Sequence, residues 1–136
     1  MLWLFAAINM ICLYLAARFL RLHTGRVRPG TSLCSWTAYI DCDQVLLTRE
    51  ARYFVIPNAL LGLTFNLAGT AVCIMAIRSD NQSLWLLLAC MYTVSAAVTA
   101  VFWKLLLRLP SLCPLCPLHH FLTYIILICC LAKLQT

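Results

Sequence analysis

Charge is scarce in this chain of 136 residues: 10% are charged, and only four are acidic. A soluble globular domain carries about 25% charged and 45–50% apolar residues. Here 64% of residues are hydrophobic and the mean hydropathy is +0.93, which excludes an ordinary soluble domain. Strict polar/apolar alternation is missing too, and that argues against a membrane β-barrel. Internal repeats and low-complexity segments are likewise lacking.

The few charges divide the rest into four long uncharged stretches: Met1–Ala17, Tyr53–Ile77, Asn81–Trp103 and Leu109–Ala132, of 17, 25, 23 and 24 residues. A helix rises about 1.5 Å per residue and must cross roughly 30 Å of hydrocarbon, so about 20 apolar residues suffice. The first stretch reaches that length when Phe19, Leu20 and Leu22 extend it and Arg18 and Arg21 snorkel toward the headgroups. Helices satisfy their own backbone hydrogen bonds in lipid. The expectation is therefore an all-α integral membrane protein, a bundle of four transmembrane helices over about 1–22, 53–77, 81–103 and 113–132. The start MLWLFAAINM has no basic region ahead of its apolar run, so it reads as helix rather than as a cleaved signal peptide. No space is left for a soluble catalytic domain. Chemistry must lie in the bundle or in the connection over residues 23–52.

That connection starts with the polar, basic segment HTGRVRPGTS, in which Pro29 and Gly30 suit a turn. Arg26 and Arg28 suit contact with anionic headgroups and give no sign of nucleic-acid binding. Further on, Leu46, Leu47 and Tyr53 alternate with Asp43, Arg49 and Glu50, a pattern for a short helix lying at the interface, with Asp43 as its N-cap.

Nine cysteines are present. Cys12, Cys73, Cys90, Cys129 and Cys130 lie within apolar stretches and read as small packed hydrophobes. Cys34, Cys42, Cys113 and Cys116 lie in the polar connection or at a helix end, and two crossings put both places at one membrane face. A C-x7-C and a C-x2-C at one face suggest two dithiol pairs that exchange with each other. Pro114 suits a first helical turn, so Cys113 falls at a helix N-terminus, where free N–H groups favour a thiolate. Cys116, His120 and Tyr124 share one face of that helix. On the second helix Asn58, Gly62, Asn66, Gly69 and Cys73 form a small and polar stripe, which suits either close packing or hydrogen bonding to a flat carbonyl compound. Tyr92, Ser95 and Thr99 add polar groups on the third helix.

Together, Cys34 and Cys42 with seven residues between them, the run DCDQVLLTR, IPNALLG opening the second helix and CPLC opening the last resemble the vitamin K epoxide reductase family, over roughly Cys34 to Tyr124. The resemblance implies a quinone-dependent thiol/disulfide oxidoreductase. Cys113 and Cys116 would be its quinone-proximal pair, and Cys34 and Cys42 its shuttle pair. Cys42 would exchange with Cys113, and Cys34 would face a thioredoxin-like partner supplied in trans. Asn58 matches an asparagine that hydrogen-bonds a quinone carbonyl, and Thr48 a Ser or Thr near the site's mouth. His120 departs from the tyrosine of vertebrate members. The implied cofactor is a quinone of ubiquinone, menaquinone or vitamin K type, with vitamin K quinone or epoxide as substrate.

A metal-binding membrane protein is the alternative, since four cysteines with His119 and His120 at one side suit zinc or copper. Orientation draws on two conflicting rules. Arg18, Arg21, Arg26, Arg28, Arg49, Arg52, Lys104 and Arg108 lie at the cysteine face, against Arg78 and Lys133 opposite. The positive-inside rule would place that face in the cytoplasm. The family resemblance and disulfide chemistry place it outside, on the periplasmic side of a bacterial inner membrane, and this is the orientation expected.

Overall fold

A computed structural model describes residues 1–53 and 55–136. Four long helices, α1 (Leu2–His23), α3 (Asn58–Ser79), α4 (Gln82–Leu106) and α5 (Leu115–Gln135), are each long and apolar enough to cross a membrane. The short helix α2 (Cys42–Leu47) lies between α1 and α3, followed by a 3-10 turn at Arg49–Ala51 and a two-residue antiparallel ladder of β1 (Arg52–Tyr53) with β2 (Ile56–Pro57). The protein is thus an all-α membrane bundle, as its hydropathy pattern indicates.

Local signals account for the helix ends. α1 stops where Gly25 takes a positive φ of 67°. Asp80 adopts a left-handed conformation after α3, and the Asn81 side chain accepts a hydrogen bond from Ser83 N at 2.9 Å to start α4. α3 begins at Asn58, later than the expected Tyr53, because Pro57 cannot donate within a helix and the preceding residues pair as a ladder. The Tyr53 side chain and Phe54, both within the expected span, lie outside the described residues.

Two apolar cores fill the bundle. The one far from the two cysteine pairs gathers Phe5, Ile8, Cys73, Leu88, Tyr92, Ile126 and Cys130. The other joins Leu15 and Phe19 of α1 to Val45 and Leu46 of α2 and to Cys34, Cys42 and Cys113. Helix α2 is thereby seated on the bundle by its apolar side.

Asp43, the N-cap expected for α2, does not cap it. The N-cap of α2 is Asp41, whose carboxylate accepts from Asp43 N at 2.9 Å. Asp43 instead points inward and is fully buried. It accepts from Arg18 Nε and Nη2 at 2.8 and 2.7 Å and from the backbone N–H groups of Gly30, Thr31 and Ser32 at 2.9, 3.2 and 3.2 Å. A carboxylate with five donors has no reason to stay at the helix start, where one N–H was on offer.

Candidate functional site

The loop before α2 and the segment before α5 are joined through their backbones. Asp41 N donates to Leu112 O at 3.0 Å, and Leu112 N donates to Tyr39 O at 2.7 Å. The buried Ser111 hydroxyl donates to Gln44 Oε1 at 2.6 Å and lies 3.2 Å from Ala38 O. These bonds set Cys42, the first residue of α2, against Cys113.

Cys34 and Cys42 form a disulfide, whereas Cys113 and Cys116 are free. Cys113 Sγ lies 2.8 Å from Cys42 Sγ. The Cys113 thiol has its pKa lowered, first by the hydrogen bond from the Cys116 side chain and then by the N–H groups of Cys116 and Leu115. Burial and the charge of Asp41 work against this without reversing it. The free thiol nearest the disulfide is therefore the one biased toward thiolate, the attacking form in exchange.

Cys34 is 3% exposed. Its sulfur lies 3.7 Å from Ser32 Oγ, and the neighbouring Leu33 N donates to the Tyr14 hydroxyl at 2.9 Å. The resemblance has Cys34 facing a partner. In this state it is covered, and its exposure requires the loop to move.

Below the cysteines lies a cavity of about 470 Å³. Its walls are mostly apolar, with Leu46, Phe65, Val94, Val98 and Phe102 among them. Cys116, Thr48, Asn58 and His120 all line it, so the cavity brings together the residues singled out in the sequence. Asn58 donates through Nδ2 to Glu50 O at 2.8 Å, which leaves its carbonyl oxygen and one N–H for another group. The Thr48 hydroxyl donates to Val45 O at 2.6 Å and still has lone pairs to accept with. His120 is buried, and its Nδ1 has no partner among the described residues.

The α3 stripe does face the interior. Asn66 accepts from the Tyr92 hydroxyl at 2.7 Å, and a Cβ on Gly69 would lie 3.0 Å from that same oxygen. Ser95 and Thr99 also line the cavity, whereas Tyr92 stands behind Asn66. Two lining residues carried less weight in the sequence. The sequence offers His119 only as a possible metal ligand, although its i+3 spacing from Cys116 puts it on the same helix side as His120. Cys12 read as packing, yet it lines the cavity and lies 3.9 Å from Asn66 Nδ2.

The sequence model of the vitamin K epoxide reductase family matches residues 2–131, nearly the whole chain. The chain belongs to the vitamin K epoxide reductase family. No curated protein and no solved structure matches it. Membership in the vitamin K epoxide reductase family, with the four spanning helices and the Cys34–Cys42 disulfide, makes it an integral membrane thiol oxidoreductase. Among the described residues, the one cluster able to hold a metal ion is Cys34, Cys42 and Cys113, without either histidine. With two of its three sulfurs bonded to each other, it offers a single thiolate.

Proposed function

We propose that this family member passes electrons from a thioredoxin-like dithiol partner, through Cys34–Cys42 and then Cys113–Cys116, to a quinone held in the cavity. The carrying observation is the placement of Cys113, 2.8 Å from a disulfide sulfur on one side and paired on the other with Cys116, which lines the cavity. Each transfer moves one electron pair. The partner's two thiols reduce Cys34–Cys42 and leave as a disulfide. The Cys42 thiolate then attacks Cys113 of an oxidised Cys113–Cys116 pair, Cys116 departs as thiolate, and Cys34 resolves the Cys42–Cys113 bond. The reduced Cys113 and Cys116 finally give two electrons to the quinone, which takes up two protons and becomes a quinol. The present state, loop pair oxidised and helix pair reduced, is the one left after electrons have moved inward.

Asn58 and His120 hold the quinone oxygens in this reading, with Thr48 beside the mouth. The spare amide hydrogen of Asn58 and the place of His120 in the cavity wall support it. Vitamin K quinone or its epoxide suits the same cavity, as do ubiquinone and menaquinone. The cysteine face lies on the periplasmic or external side, where an oxidising compartment maintains such disulfides.

The test is steady-state quinone reduction driven by a reduced thioredoxin-like protein. One lost ligand hydrogen bond costs about 0.5–1.5 kcal/mol, so Asn58→Ala and His120→Phe should each raise the quinone KM roughly 2- to 10-fold while the thiol pairs still exchange. Unchanged quinone saturation in both variants would return these side chains to a packing role.

A further inference from the structure

His119 lies outside the relay and outside the contacts assigned to the quinone, although it lines the same cavity. Its Nε2 is 3.4 Å from Asn66 Nδ2. The orientation of that amide is determined by its other neighbours. Asn66 Nδ2 donates to the Gly62 carbonyl oxygen at 2.7 Å, and Asn66 Oδ1 accepts from the Tyr92 hydroxyl at 2.7 Å. Turning the amide over would press two acceptor oxygens together at the Gly62 contact. The second Nδ2 hydrogen has two neighbours, His119 Nε2 at 3.4 Å and Cys12 Sγ at 3.9 Å, and the imidazole nitrogen, nearer and a far better acceptor than a thiol sulfur, is the one that receives it. A neutral imidazole that accepts at Nε2 carries its proton on Nδ1. Among the described residues no hydrogen bond engages His119 Nδ1.

The ring of His119 stands 5.4 Å from that of His120, centroid to centroid, in an edge-on arrangement. Two imidazoles at this spacing on one wall of a mostly apolar cavity can serve the two lone pairs of one carbonyl oxygen. We propose that His119, locked by Asn66 and Tyr92 as the Nδ1–H tautomer, is a second hydrogen-bond donor to the quinone oxygen that His120 meets. Asn66 and Tyr92 are positioning residues; Tyr92 does not line the cavity and acts only through Asn66. Two fixed donors in a mostly apolar site stabilise the negative charge that builds on that oxygen as the thiol pair gives up its electrons. The inference rests on the quinone reading of the cavity.

Two measurements on the full chain in detergent test it. Imidazole ¹⁵N spectra should show His119 protonated at Nδ1 and bare at Nε2, with Tyr92→Phe restoring a mixture; a wild-type ring protonated at Nε2 overturns the proposal whatever the turnover. In quinone kinetics His119→Phe should raise KM about 2- to 10-fold, the effect of one hydrogen bond. Tyr92→Phe should raise KM in the wild-type background and have no further effect in the His119→Phe background, since coupled residues are non-additive. Independent, additive effects would make Tyr92 a packing residue and overturn the proposed lock. A wild type that turns over while His119→Phe keeps its KM removes the role of His119 alone. A wild type that reduces no quinone removes the underlying reading as well.

Discussion

Asp43 joins the loop to the bundle through one side chain. Burial works to raise its pKa, but the Arg18 hydrogen bond and charge and the N–H groups of Gly30 and Thr31 outweigh it and hold the carboxyl below the usual carboxylate range. A folded-state pKa below the unfolded one means the stabilisation is complete above about pH 3.9 and is lost as pH falls through the folded-state value. Removing one partner of a buried pair costs about 3–5 kcal/mol because the other charge is stranded. Asp43→Asn should therefore loosen the loop at neutral pH. In wild type, phosphine reduction of Cys34–Cys42, taken relative to Asp43→Asn at each pH, should speed up as pH drops below the carboxylate range. A flat ratio would show that the Arg18 pair does not restrain the disulfide. Little of this was legible beforehand: an aspartate at the start of an amphipathic segment reads as a cap, and only the folded loop puts Arg18, 25 residues away, against it. The cysteines were legible because spacing and membrane parity fix which face they share.

At the scale of elements, the four spanning helices could be read from uncharged stretches, since lipid demands length and apolarity and little else. Their ends were less legible. The start of α3 moved to Asn58 because ladder pairing before Pro57 competes with helix, and hydropathy does not separate those states. The α3 stripe was legible as an interior face, although its partners were not. Gly69 shows why a small residue stands there: an added Cβ would sit 3.0 Å from Tyr92 Oη and 3.2 Å from Phe5 Cε1, and Tyr92 is fully buried in the far core. Overpacking of this kind costs about 1–3 kcal/mol. Gly69→Ala should lower thermal stability in detergent by about that amount, measured by thiol-reactive dye unfolding, since Cys73 and Cys130 are buried in the same core. An unchanged midpoint would mean that α3 and α4 separate freely at this level.

For the whole molecule, the bundle divides labour along the membrane normal. One end is apolar packing around Phe5, Leu88 and Ile126. The other carries the disulfide loop above a cavity whose wall includes Cys116. The family motif was legible in the sequence; the backbone bonds from Tyr39 and Asp41 to Leu112 that press Cys42 onto Cys113 were not, because they join segments some 70 residues apart. The relay between the two cysteine pairs is the central claim, and Cys34→Ala/Cys116→Ala tests it most directly. With both resolving thiols removed, nothing releases the Cys42–Cys113 intermediate, whose two sulfurs stand 2.8 Å apart. Peptide mapping under non-reducing conditions, after oxidation of the variant in its membrane, should find Cys42 linked to Cys113. Cys42 and Cys113 both left as free thiols would contradict the relay, and a Cys34–Cys113 bond formed instead in the matching Cys42→Ala/Cys116→Ala variant would reverse the roles of the loop cysteines.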